Sequence, residues 1–162
     1  MTARPPSDAI VAVRSFPRRF RGLFLGLGDD ESPDALAVRP APDGTTALGH
    51  LVAAAAALTT ATRGLDQVLV KDDPLVEPVP SGAATSGPST GAVDERLSEL
   101  GLQADALAER ADHVTADSWG RTGHTADGQT LSASDLLWQG VDAVVERLKA
   151  AERTLSEARR AR

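Results

Sequence analysis

The sequence has no cysteine and no tyrosine, a single methionine and only three histidines. Without thiols there is no disulfide, no thiolate metal site and no cysteine nucleophile. Aromatic residues amount to 3% of the chain, with Trp119 and Trp138 beside three phenylalanines. A core must then be built from Leu, Val and Ala, which suits closely packed helices better than a β-sandwich. Basic residues are also short, 17 against 23 acidic ones, for a net charge of −6. Such a surface cannot replace the counterions of a phosphate backbone, so nucleic acid is not an expected partner. The two basic clusters, "RSFPRRFR" and "EARRAR", alternate with apolar or acidic residues and read as solvated helix faces. The longest apolar run, at residues 51–58, is too short and alanine-rich to span a bilayer. No apolar segment with a cleavage site follows "MTARPPSD", so a cytoplasmic protein without membrane contact is expected. No G-x-S-x-G, P-loop or H-E-x-x-H motif occurs, and "GLFLGLG" follows a helix rather than a strand.

What is present is helical periodicity. Residues 1–162 fit one domain. Ser15 as N-cap with Pro17 in the first turn opens "FPRRFRGLFLGL", which runs to a stop at Gly28. In "SPDAL", Ser32 caps a single turn begun by Pro33. The clearest helix covers residues 45–70, with Leu48, Leu51, Ala55, Leu58, Thr62, Leu65 and Leu69 spaced alternately by three and four and Gly64 inside it. Residues 72–92 are rich in Pro, Gly and Ser and are expected to form a flexible connection. A third helix over 93–112 carries Leu97, Leu100, Gln103 or Ala104, Leu107 and Ala111 on one face. A turn-rich stretch, "TADSWGRTGHTADGQT", leads to Ser132, with Asp135 three residues on as an acidic capping box. The last helix keeps Leu137, Val141, Val144, Leu148, Ala151 and Leu155 in one stripe and runs to about Arg159. The fold class is all-α: a four-helix bundle with a long connection between helices two and three.

Three places could carry chemistry. His50 lies about 100° from the leucine seam of its helix, on a second line with Ala54, Ala57 and Ala61 that invites close approach of another helix. A lone histidine at such an edge reads first as a hydrogen-bonded structural residue. Asp142 and Glu146, four apart, project from one helix face as a metal or acid–base pair would require. Lys149 and Arg153 continue that face with opposite charge, so a solvated, salt-bridged surface accounts for all four. His113 ends the third helix, where a cation opposes the dipole favourably, and His124 in "GRTGHTADG" has no second nitrogen donor close by.

The order and spacing of "SFPRRFRGLFLGL", "PAPDGTTALGHLVAAAAAL", "VLVKDDPLVE" and "TADSWGRTGHTADGQTLSASDLLWQGVDAVVERL" resemble the DinB-like superfamily, metal-binding four-helix bundles that include the mycothiol-dependent maleylpyruvate isomerase type. The resemblance implies a Trp-Ser or Trp-Thr dipeptide opening the second helix and a ligand histidine seven residues later. Here Thr45-Thr46 stands in that place and the ligand position falls on Ala53. It also implies a His-x-x-x-His pair in the last helix, which falls on Asp142 and Glu146, with Arg147 after. All three ligand positions are thus substituted, and an alanine cannot hold a first-row metal.

Two functional expectations follow. The first is a bundle without metal or other cofactor, a binding or structural module and a homodimer, with any small-molecule ligand in an inter-helix cleft lined by His50, Ala53, Trp138, Asp142 and Glu146. The second is an enzyme, a metal-dependent thiol-using transferase, isomerase or hydrolase, in which His50 joins Asp142 and Glu146 in a rebuilt site for Zn, Ni or Mn. That rebuilding must absorb a displacement of one turn, about 5.4 Å. A third reading, a helical partner protein, would show as an exposed apolar patch.

Overall fold

The computed structural model describes residues 3–26, 32–80 and 91–161. Four long helices form the bundle: α1 (Pro6–Leu25), α3 (Ala47–Val70), α4 (Val93–Asp112) and α5 (Ala133–Arg160); α2 (Pro33–Ala37) is a single turn. Helix α3 packs against α5 and α4, and α1 against α4 and α5, so the helices run α1, α4, α3, α5 around the bundle. Successive long helices α1 and α3 are therefore diagonal, as are α4 and α5. Their connections therefore join diagonal helices instead of closing short hairpins.

Helix α1 begins well before Ser15, at Pro6, with Pro5 as its extended N-cap residue. The physical reason is the apolar line Ala9, Val13, Phe16, Phe20 and Phe24, all buried, which continues the same stripe toward the N-terminus. Pro17 is tolerated inside the helix, where it removes only the bond to the carbonyl of Val13. Ser15 does not cap; its hydroxyl donates to the carbonyl of Ala12 at 2.7 Å. Gly26 is the C-cap residue, and the expected stop at Gly28 lies outside the described residues.

Helix α3 starts where Thr46 accepts a hydrogen bond from the amide of Gly49 at 3.0 Å. Its two apolar lines are both buried, Leu48, Leu51, Leu58 and Leu65 on one and Ala54, Ala57 and Ala61 on the other. The second line admits α5 closely: a Cβ on Gly140 would stand 2.8 Å from that of Ala61. Helix α4 spans the expected residues. Helix α5 opens with a full capping box, Ser132 accepting from the Asp135 amide at 3.0 Å and Asp135 from the Ser132 amide at 2.9 Å.

Two connections carry more structure than their composition suggests. The stretch after α4 contains a 3₁₀ turn (Ala116–Gly120) and a hairpin of β1 (Thr122–His124) and β2 (Thr130–Ser132). The start of the 72–92 connection lies against that hairpin. His124 donates to the Pro74 carbonyl at 2.9 Å, Val76 donates to the His124 carbonyl at 2.8 Å, and Val76 and Val79 are buried. Residues 81–90, the centre of the expected flexible connection, lie outside the described residues. Among the described residues no helix is long and apolar enough to cross a membrane.

Candidate functional site

The loop before α3 builds one wall of the site. In "APDGTT", Ala41 donates to the Thr45 carbonyl and Gly44 to the Ala41 carbonyl, each at 2.8 Å, closing a tight turn. Gly44 occupies the left-handed region at φ 82°, where a side chain would be strained. Asp43 accepts from the Thr45 amide at 2.9 Å and from its hydroxyl at 2.6 Å. Those bonds hold the Asp43 carboxyl below the usual carboxylate range, so it is an anion at neutral pH. Arg39 ties the same loop to the end of α5, donating to the Ala158 carbonyl at 3.0 Å.

Under this loop sits His50, 2% exposed, in the first turn of α3. Arg147 of α5, 7% exposed, donates from Nη1 to His50 Nδ1 across 3.3 Å. Arginine offers only donors, so Nδ1 is an acceptor and the ring proton resides on Nε2. Burial, then the Arg147 charge, pushes the imidazole below the ordinary histidine range; Arg153 adds to this and Asp43 opposes it. Burial likewise lowers Arg147 from its very high reference value, opposed by the Glu146 carboxylate. A cavity of about 110 Å³ opens beside His50, lined also by Asp43, Thr45, Ala150, Arg153, Thr154 and Glu157.

The other expected site residues are not in this pocket. Asp142 is exposed and takes a two-pronged bond from Arg4, at 2.9 and 2.8 Å, rather than pairing with Lys149 or Arg153. Trp138, half-buried, carries the Arg4 guanidinium 3.9 Å above its ring and donates from Nε1 to the Arg4 carbonyl at 3.1 Å. Glu146 is exposed and Ala53 half-buried. The expected cleft of His50, Ala53, Trp138, Asp142 and Glu146 is thus replaced by two separate places: a pocket at His50 and a surface cluster at Arg4. Among the described residues, no three His, Asp or Glu side chains are placed to hold a metal ion. The donor set at His50 does not fit a divalent cation either, because its Nδ1 faces a guanidinium.

His113 ends α4 as expected, its Nδ1–H donating to the Glu109 carbonyl at 2.7 Å. His124 pairs through Nδ1 with Asp73, at 3.2 Å. A larger groove of about 460 Å³ between α3 and α4 is lined by Thr62, Asp66, Ala106, Glu109, Arg110 and His113. Asp66 and Arg110 pair with each other there, and His113 is spent on its own helix.

Sequence reasoning missed Asp43, Thr45, Arg147, Thr154 and Glu157. A signal existed for the first two, since an Asp-Gly pair followed by Thr is a turn that bends back on its own backbone. For Arg147 the signal was its position on the stripe side of α5, next to Val144 and Leu148.

No family model matches the chain, and comparison with curated proteins finds no match. Among solved structures, the chain is similar to YfiT from Bacillus subtilis, a probable metal-dependent hydrolase with an unusual four-helix bundle topology. The superposition has a TM-score of 0.76 at 16% identity and covers 99% of this chain and 90% of that one. At that identity the likeness is one of fold alone: the chain has an all-α four-helix bundle fold like that of this neighbour.

Proposed function

We propose that this chain is a small-molecule binding module of DinB-like fold that works without a resident metal and takes its ligand in the pocket at His50. The observation that carries this reading is the buried Arg147 guanidinium at 3.3 Å from His50 Nδ1. A fixed cation there supplies the positive charge that a metal would bring, and it repels a dication from the one buried imidazole. On this reading Ala53, Asp142 and Glu146 are substituted ligand positions, and chemistry that needs a metal-bound thiol, mycothiol included, went with the ligands. The module is a cytoplasmic homodimer; sedimentation of the purified chain tests the dimer.

The neighbouring fold belongs to a probable metal-dependent hydrolase, so the test is metal retention. The untagged protein is incubated with Zn²⁺, Ni²⁺ or Mn²⁺, desalted and assayed for metal, with His50→Ala in parallel. The expected result is no stoichiometric metal in either. Stoichiometric metal in the parent that is lost in His50→Ala would overturn the reading and restore the enzyme.

A further inference from the structure

We propose that the pocket at His50 binds a small α-amino acid, of glycine or alanine size, with its carboxylate on His50, Thr154 and Arg153 and its ammonium facing Asp43 and Glu157. This rests on the binding-module reading above and names its ligand class.

Two buried polar side chains point to a ligand. His50 spends Nδ1 on Arg147, which leaves Nε2–H as a donor, and among the described residues nothing accepts from it. Thr154 is 4% exposed and makes no hydrogen bond among the described residues. That is unusual for a helical threonine in this chain: Thr59, Thr60 and Thr62 each donate to the carbonyl four residues back, at 3.1, 3.1 and 2.9 Å. With no protein acceptor at either group among the described residues, the bond is left to whatever occupies the cavity. Both residues line the same cavity.

The charges around them select the ligand. Arg153 and the Arg147 guanidinium behind His50 favour an anion at that side. Asp43, held ionised by Thr45, and Glu157 disfavour a ligand that is only an anion, and they favour an ammonium. A zwitterion satisfies both halves. The cavity of about 110 Å³ is small, which favours a ligand of glycine or alanine size.

The test is a titration of the ¹⁵N-labelled full chain, read at the His50 ring nitrogens and the Thr154 amide, with glycine, L-alanine, acetate, methylammonium and L-leucine as separate probes. Saturable shifts with glycine or L-alanine are expected, with acetate and methylammonium weaker by about tenfold or more, as loss of one charged hydrogen-bonded half implies, and no response to L-leucine. Arg153→Gln and Glu157→Gln change exposed side chains and should fold normally, and Thr154→Val keeps the shape; each should weaken glycine binding by about tenfold. No response to glycine or L-alanine, acetate binding as tightly as glycine, or indifference to all three substitutions would overturn the proposal. Metal assayed on the same sample separates the two ideas: a metal-free chain blind to both amino acids refutes the ligand, whereas retained metal at His50 refutes the module.

Discussion

Arg147 and His50 meet inside the bundle, Nη1 to Nδ1 at 3.3 Å, where a guanidinium and an imidazole are both withdrawn from water. A donor-only group beside one ring nitrogen leaves the imidazole one stable state: neutral, with its proton on Nε2. Long-range ¹H–¹⁵N correlation should therefore show a single Nε2–H tautomer for His50 at neutral pH. A protonated Nδ1 would contradict the assignment. Arg147→Met should move the His50 pKa up toward the ordinary value without reaching it, because burial is the larger cause.

The same pair makes stability depend on pH in a definite direction. The folded-state pKa of His50 is depressed, so the unfolded chain binds the proton more readily and stability rises with pH. The contribution is complete above the unfolded histidine value of about 6.5 and is lost as pH falls below it toward the folded value. Urea midpoints measured between pH 7.5 and 5 should decline, with a slope below the limit of about 1.4 kcal/mol per pH unit for one proton. His50→Gln, which cannot take up that proton, should flatten the decline. A parent and variant with parallel slopes would assign the effect to other groups.

Much of this architecture was legible, and the reasons are local. Helix α4 and the capping box at Ser132 depend on short-range spacing, so the sequence displays them directly. The start of α1 was missed because Pro17 looks like a first-turn residue, although the periodicity of Ala9 and Val13 already pointed earlier. The hairpin was missed because three-residue strands carry no period, and only the Asp-Gly pair before Gln129 marked the turn. Gly123 shows why its neighbour could not be read: a Cβ there would stand 2.7 Å from the Pro74 carbonyl oxygen, a contact between segments far apart in sequence. The pocket fared likewise. His50 was found from its helix, but Arg147 and Thr154 face it only because α3 and α5 are adjacent around the bundle.

That adjacency predicts unequal costs for two glycine substitutions. At Gly140 a new Cβ would lie 2.8 Å from the Ala61 Cβ, so the helix backbones must separate. Gly140→Ala should cost about 1–3 kcal/mol as overpacking, despite the better helix propensity of alanine. At Gly64 the new Cβ meets the end of a movable side chain, Leu136 Cδ2 at 3.2 Å. The helix gain of about 1 kcal/mol then offsets the adjustment, and Gly64→Ala should be near neutral. Paired denaturation curves check this, and equal losses would show that the α3–α5 contact does not discriminate between the two sites.

Asp142 provides the complementary prediction, because its work is at the surface. Its carboxylate binds Arg4, whose guanidinium covers Trp138, with both charged side chains 53% exposed. An exposed pair contributes little, so Asp142→Asn should lower stability by no more than about 1 kcal/mol. It should, however, free Arg4 from the indole. The Arg4 guanidinium lies over the Trp138 ring, so the variant should show stronger quenching by iodide and a red-shifted emission, and Arg4→Ala should reproduce the change. Neither substitution touches the pocket lining, so the His50 ring signals should stay where they are in the parent. If Asp142→Asn moved them, Asp142 and His50 would be coupled and the two places would have to be treated as one site.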